Sequence, residues 1–227
     1  MSIRGLKRRN FICQLAAALA LPAGARAQTQ EQTQRPAILV VGDSLSAEYG
    51  LPRGTGWVAL LEQKLAAEKQ GQQGDWRVLN ASISGDTTAG GRARLPGLLK
   101  KHQPAIVIIE LGGNDALRGL PLDATEANLL AMTQTAQKTG ARVLLAGMQA
   151  PPNYGADYTR RFAGIYPRIA RQTGAALAPF LLAGVADQPD ALAHFQPDRI
   201  HPKAEAHPAI LNNVWEPLHK LLHGGRE

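Results

Sequence analysis

The chain of 227 residues is long enough for one well-cored domain, and 44% hydrophobic against 19% charged residues excludes an intrinsically disordered chain. A formal net charge of +7 suggests a polyanionic partner, but Arg4, Lys7, Arg8, Arg9 and Arg26 all precede position 28, where no acid occurs. The other 20 bases face 18 acids, a balance of +2, so charge gives no support to nucleic-acid binding.

Residues 1–27 fall into three parts: a basic R-G-L-K-R-R-N, an apolar F-I-C-Q-L-A-A-A-L-A-L-P-A-G, and a close on Ala25-Arg26-Ala27. This is the layout of a cleaved export signal, and the apolar part is too short and too weakly hydrophobic for a membrane span. Arg8-Arg9-Asn10-Phe11-Ile12 also resembles a twin-arginine signal; an ordinary secretory signal with two arginines is the alternative. The expectation is a periplasmic or secreted protein, cleaved near Ala27, without a stable membrane anchor, whose residues 28–227 form one domain. The sole cysteine, Cys13, lies in the leader, which leaves no disulfide, thiol nucleophile or cysteine-ligated metal after cleavage. Residues 28–36, Q-T-Q-E-Q-T-Q-R-P, read as a flexible polar start.

From residue 37 strand and helix signals alternate. Four short aliphatic runs predict buried parallel strands: 37–41, 77–83, 105–111 and 142–147, with a weaker fifth at 175–180. Helices are predicted over 56–69, 88–101, 122–139, 158–173 and about 204–223. The second and fourth carry an internal proline expected to shorten or kink them, and Pro208 and Pro217 are expected to interrupt the last. Such alternation predicts an α/β fold, a three-layer α/β/α sandwich around a parallel sheet of about five strands.

In such a sheet ligands bind beyond the carboxyl ends of the strands. The first three runs end there in G-D-S-L-S, S-I-S-G-D-T and L-G-G-N-D, and the fourth in G-M-Q-A-P-P-N-Y. A serine hydroxyl becomes a nucleophile only beside a base whose tautomer a carboxylate fixes. In Q-P-D-R-I-H-P, Asp198 and His201 lie three apart between Pro197 and Pro202, a spacing that lets the carboxylate reach the ring nitrogen facing away from Ser44. A lone D-x-x-H is common and carries little alone. Oxyanion donors add weight: a Gly85 N–H, the Asn114 amide and the Ser44 N–H. Plain readings stand beside these, S-G-D-T as a turn and helix cap and G-G-N-D as a loop whose Asn tolerates a left-handed backbone. Asp43, Asp86 and Asp115 read as braces. His194, His201, His207 and Asp198 fit no common zinc spacing.

Four blocks in order, G-D-S-L-S at 42–46, S-G-D-T at 84–87, G-G-N-D at 112–115 and D-x-x-H-P at 198–202, resemble the GDSL or SGNH hydrolases, in their bacterial thioesterase, lysophospholipase and arylesterase branch. The likeness extends through N-A-S-I-S-G-D-T, L-G-G-N-D-A-L-R-G and P-P-N-Y-G. It implies Ser44 as nucleophile, His201 as base, Asp198 as orienting acid, and Ser44, Gly85 and Asn114 as oxyanion donors. It also implies a flavodoxin-like sandwich with no metal or cofactor, acting on a small-molecule acyl ester or thioester. Leu111, Leu117, Met148, Pro151, Pro152 and Tyr154 are candidates for an acyl groove, with core or loop packing as the other reading. Arg118 is expected to form a surface salt bridge or to meet a substrate anion. Residues 188–198 depart from the family's usual forms and 66–76 look like a lengthened loop, so the pocket is where the analogy is least safe. A monomer is expected. Carbohydrate or cell-wall acetylester hydrolysis by the same triad, and a non-catalytic periplasmic binding module, are the alternatives.

Overall fold

Valine, isoleucine and leucine dominate two runs that form the middle of the sheet, β1 (Ala37–Gly42) and β3 (Ile106–Glu110), and every residue of both is buried. Continuous burial is the signature of a strand covered on both faces. In this computed structural model, which describes residues 35–68 and 75–224, they join β2 (Arg77–Asn80), β4 (Arg142–Ala146) and β5 (Ala176–Ala178) in a parallel sheet of order β2-β1-β3-β4-β5. The predicted leader, residues 1–27, and most of the lengthened loop lie outside the described residues.

Among the described residues seven α-helices accompany the sheet: α1 (Trp57–Glu68), α2 (Thr88–His102), α3 (Gly113–Leu117), α4 (Leu122–Lys138), α5 (Ala156–Ala163), α6 (Ile165–Thr173) and α7 (His207–His223). α1 packs with α7, whereas α2 packs with α4 and α4 with α6, giving a helix layer on each side. Trp57, Leu61 and Leu65 from α1, Leu95 and Leu99 from α2, and Leu129 and Met132 from α4 point into one contiguous core. The α/β sandwich read from the sequence is therefore the observed architecture. Among the described residues no helix is long and apolar enough to cross a membrane.

Four local expectations are corrected. The second strand stops at Asn80, not residue 83; Ala81 and Ile83 still donate to the Val40 and Gly42 carbonyls (2.9 and 3.0 Å), but from irregular backbone that leads into the turn at 84–85. The predicted helix 158–173 is two helices meeting at Gly164, because Pro167 offers no N–H to the preceding turn. The last helix is not interrupted: Pro208 sits in its first turn, where no N–H is needed, and buried Val214 and Leu218 hold it together across Pro217. The G-G-N-D segment is not a loop. Its left-handed residue is Gly112 (φ 118°), and Asn114 belongs to α3.

Strand order reverses between β1 and β3, since β2 lies outside β1 while β3 to β5 run the other way. Gly42 and Glu110, the last residues of these two strands, are register partners. Two loops thus leave side by side from the switch point where open α/β sheets bind ligands.

Candidate active site

The chain beyond β1 is fixed from beneath. Asp43 Oδ1 accepts the Leu45 N–H (3.0 Å), and the Asp43 carbonyl accepts the Ala47 N–H (3.0 Å). Glu110 is fully buried, and its Oε2 accepts both the Asp43 N–H (3.2 Å) and the Ser46 hydroxyl (2.7 Å). Ser46 in turn accepts the Trp57 indole N–H (3.2 Å), and its carbonyl accepts the Asn80 amide (2.7 Å). A Cβ at Gly42 would stand 2.6 Å from Glu110 Oε2, so only glycine admits that carboxyl. Ser44, half-buried, is left presented to solvent on a turn held by four elements. Glu110 was not picked out from the sequence; its one signal is an acid closing an otherwise aliphatic run.

His201 and Asp198 meet Ser44 from the other end of the chain. Asp198 Oδ1 accepts the Ile200 and His201 N–H groups (3.0 and 3.1 Å), which leaves Oδ2 for the imidazole Nδ1 at 2.6 Å. His201 Nε2 lies 2.8 Å from Ser44 Oγ. These contacts fit Nδ1–H donating to Asp198 and Nε2 accepting the serine proton. Burial would raise the Asp198 pKa; the hydrogen bonds from His201, Ile200 N–H and His201 N–H outweigh it and bring the carboxyl down to about 2. The Tyr49 ring lies over the imidazole, 4.3 Å between centroids and tilted 36°. Gln196 Nε2 donates to the Tyr49 and Pro202 carbonyls (3.0 and 3.1 Å), tying the serine loop to the histidine loop.

The expected oxyanion donors stand at neighbouring strand ends. Gly85 has φ 78°, a left-handed conformation natural to glycine. Neither its N–H nor that of Ser44 is taken by another group among the described residues. Asn114 donates one amide hydrogen to Asp43 Oδ2 (2.9 Å), which leaves the other for the cavity it lines. Burial pushes the Asp43 carboxyl up to about 6 against the lowering effect of its bonds from Leu45 and Asn114. Asp115 braces α2, accepting the Thr88 N–H (2.9 Å) and hydroxyl, and Asp86 pairs with Arg94 (2.8 Å). Among the described residues Arg118 does not form the expected salt bridge. Its guanidinium donates to the Gly85 carbonyl (2.8 Å) and so steadies the peptide next to the free N–H.

Ser44, His201 and Asn114 open into a cavity of about 920 Å³. Of the predicted lining, Leu117, Met148 and Pro151 border it. Leu111 does not: it is fully buried in the core against α2, where a Cβ on Gly91 would collide with it. Tyr154 does not either, its hydroxyl reaching the Leu117 carbonyl (3.4 Å) while its ring packs on Tyr158. Pro152 opens a 3-10 turn whose next residues are Asn153 and Tyr154. The apolar walls come instead from Phe180, Leu182, Leu192, Phe195 and Ile200. Two of these belong to the departing segment 188–198, so that departure does shape the cavity. His207 is elsewhere, buried below α1 with its Nδ1 accepting the Trp57 N–H (3.0 Å).

The sequence pattern of the GDSL-like lipase/acylhydrolase family matches residues 40–209. The chain is 50% identical over 192 residues to "Esterase TesA" of Pseudomonas aeruginosa, spanning 85% of this chain and 92% of that one. It is 41% identical over 186 residues to "Thioesterase 1/protease 1/lysophospholipase L1" of Escherichia coli K12, spanning 82% and 85%. Among solved structures, the psychrotrophic esterase EstA from Pseudoalteromonas sp., inhibited by monoethylphosphonate, superposes with a TM-score of 0.75 at 39% identity, over 83% of this chain and 99% of that one. With four ordered blocks, the shared sheet and these likenesses together, the chain belongs to the GDSL-like lipase/acylhydrolase family.

Proposed function

We propose that the protein is an exported serine hydrolase that cleaves acyl esters or thioesters, of the arylesterase, lysophospholipase and thioesterase kind. The observation that carries this reading is the unbroken chain from Asp198 Oδ2 through the His201 ring to Ser44 Oγ, at 2.6 and 2.8 Å. His201 Nε2 takes the Ser44 proton as Oγ attacks the acyl carbon, and Asp198 stabilises the resulting imidazolium. The tetrahedral oxyanion accepts the Ser44 and Gly85 N–H groups and the spare Asn114 amide hydrogen. His201 then hands its proton to the departing alcohol or thiol, leaving an acyl group on Ser44. A water deprotonated by the same nitrogen attacks that acyl carbon, the carboxylic acid leaves, and Ser44 regains its proton.

The reaction needs no metal or cofactor, and every proposed group comes from one chain, which supports action as a monomer. The three-part layout of residues 1–27 supports export and cleavage near Ala27, to the periplasm or beyond. The Pseudoalteromonas esterase was solved inhibited by monoethylphosphonate; a tetrahedral phosphonate imitates the intermediate proposed here. Hydrolysis of short and long p-nitrophenyl esters by the parent and by Ser44→Ala tests the assignment. Loss of turnover by at least about 10³-fold is expected; turnover retained in Ser44→Ala removes Ser44 as the nucleophile.

A further inference from the structure

Among the described residues Glu48, Gln103 and Arg199 take a left-handed backbone without being glycine, and Glu48 (φ 58°) lies on the serine loop. Such a conformation is costly and persists where the surroundings impose it. Here the Glu48 side chain imposes it, Oε1 accepting the Gly54 and Gly56 N–H groups (2.9 and 2.8 Å). Tyr49 comes next, its N–H on the Ser44 carbonyl (3.4 Å), and Gly50 follows at φ 68°. A Cβ at Gly50 would collide with Gln196, whose Nε2 donates to the Tyr49 carbonyl (3.0 Å). Tyr49 is thus fixed between two left-handed residues and tied to the histidine loop. Its side chain is 49% exposed, so core packing does not account for this care. The ring's partner is His201, 4.3 Å between centroids and tilted 36°. Both edges of that imidazole are taken, Nδ1 by Asp198 Oδ2 (2.6 Å) and Nε2 by Ser44 Oγ (2.8 Å). Only its two faces remain for support, and Tyr49 covers one.

We infer that Tyr49 is a positioning residue acting through His201: its ring fixes the plane of the imidazole and favours the imidazolium formed during the reaction. The inference rests on the hydrolase reading above and adds a residue to it. As Ser44 Oγ attacks, its proton passes to His201 Nε2, and the ring carries a positive charge until that proton leaves with the alcohol or thiol. The second half of the cycle repeats this with water as the proton source. An aromatic face within about 6 Å of a cation attracts it through the negative charge of the π-system. The neutral imidazole of the resting site gains far less from that face. The attraction is therefore stronger in the transition state than before it, which raises kcat rather than lowering KM. Asp198 stabilises the same charge from one edge of the ring, and Tyr49 does so over the face. The phenol oxygen plays no part in this attraction.

The test measures kcat and KM for p-nitrophenyl butyrate. Tyr49→Leu, which removes the π-face, is expected to lower kcat by roughly threefold to thirtyfold while KM moves by less than about twofold. Tyr49→Phe keeps the face and is expected to restore kcat to near the parent value. Phenylalanine carrying one, two and then three ring fluorines at position 49 nearly preserves the shape while draining negative charge from the face. A fall in kcat at each step is expected, a gradient that packing alone would not produce. Tyr49 is half exposed, so none of these changes opens the core, and thermal unfolding of each variant checks this. Turnover by Tyr49→Leu equal to the parent's overturns the inference. So does a loss in Tyr49→Leu with a flat fluorine series, which would leave only the bulk of the ring. Ser44→Ala is assayed beside them. Turnover lost in Ser44→Ala but unchanged in Tyr49→Leu removes the role of Tyr49 alone; turnover retained in Ser44→Ala removes the hydrolase reading and that role with it.

Discussion

Replacing Glu110 by Gln and by Ala separates two descriptions of the carboxyl beneath the serine turn. The side chain is fully buried, Oε2 accepts two hydrogen bonds, and Oε1 has no partner among the described residues. Burial, reinforced by the neighbouring Asp43 carboxyl, pushes its pKa well above the ordinary range; the bonds from Ser46 and Asp43 offset only part of this. The protonated form is therefore favoured, and glutamine imitates it: one acceptor oxygen, no charge, nearly the same volume. The predicted cost of Glu110→Gln at pH 7 is below about 1 kcal/mol. Glu110→Ala strips the acceptor from two buried donors, at about 1–3 kcal/mol each before any cavity is counted, so a loss of about 3 kcal/mol or more is predicted. The pH dependence has a definite sign. A group whose folded pKa is raised stabilises the fold fully below its unfolded value, near 4.5 for Glu110, and loses that contribution as pH climbs through the folded value. Asp43, raised by burial to about 6, acts in the same direction. Glu110→Gln removes one source of the loss and should gain on the parent as pH rises above the unfolded value near 4.5, read in urea unfolding. If the glutamine variant is as unstable as the alanine variant and keeps the parent's pH slope, the carboxylate is ionised and this account fails.

Asp198 has the opposite sign. Lowered to about 2, it stabilises the fold above about pH 4 and loses that effect between about 4 and 2. Its side chain is 37% exposed, so the contribution is discounted to under about 1 kcal/mol, and acid unfolding of Asp198→Asn should lack that step. Asp198→Asn should also lower kcat for p-nitrophenyl butyrate by about 10²-fold or more, with KM moving far less. Arg118→Ala removes the donor on the Gly85 carbonyl, and a several-fold fall in kcat with a smaller change in KM is expected; unchanged kinetics would show that the Gly85 peptide needs no such support. Gly91→Ala places a methyl group against Leu111 and 3.2 Å from the Met132 sulfur, so thermal denaturation should report a loss of about 1–2 kcal/mol despite alanine's better helix propensity.

The sheet was legible because burial on both faces turns β1 and β3 into unbroken aliphatic runs, a pattern that hardly depends on the rest of the fold. α3 was not legible: five residues are too few to display a helical period. The helix break was flagged by Pro167, but its position is set by Gly164, whose added Cβ would stand 3.1 Å from the Arg160 carbonyl. Glu110 shows the limit most clearly. An acid after four aliphatic residues reads equally well as a strand reaching solvent, and what makes it a buried brace is Asp43 and Ser46, more than sixty residues earlier.

The candidate site divides along the same line. The Asp198–His201 pairing is local, three residues wide and bracketed by prolines, so its geometry was written in a short segment. The His201–Ser44 contact spans 157 residues and has no local signature. It was reachable because parallel strands send all their carboxyl ends to one edge, which makes the last residue of each run a candidate neighbour of the others. That rule fixes which edge a residue occupies, not how deep its side chain lies. Leu111 and Leu117 both follow β3 at that edge, yet one is sealed in the core and the other stands at the mouth of the cavity. The difference is made by α2, whose Gly91 brings the helix down onto Leu111, and by α3, which carries Leu117 out past Asn114. Chemistry placed by strand ends was therefore readable, while the walls of the cavity, built by loops without period, needed the packed helices to define them.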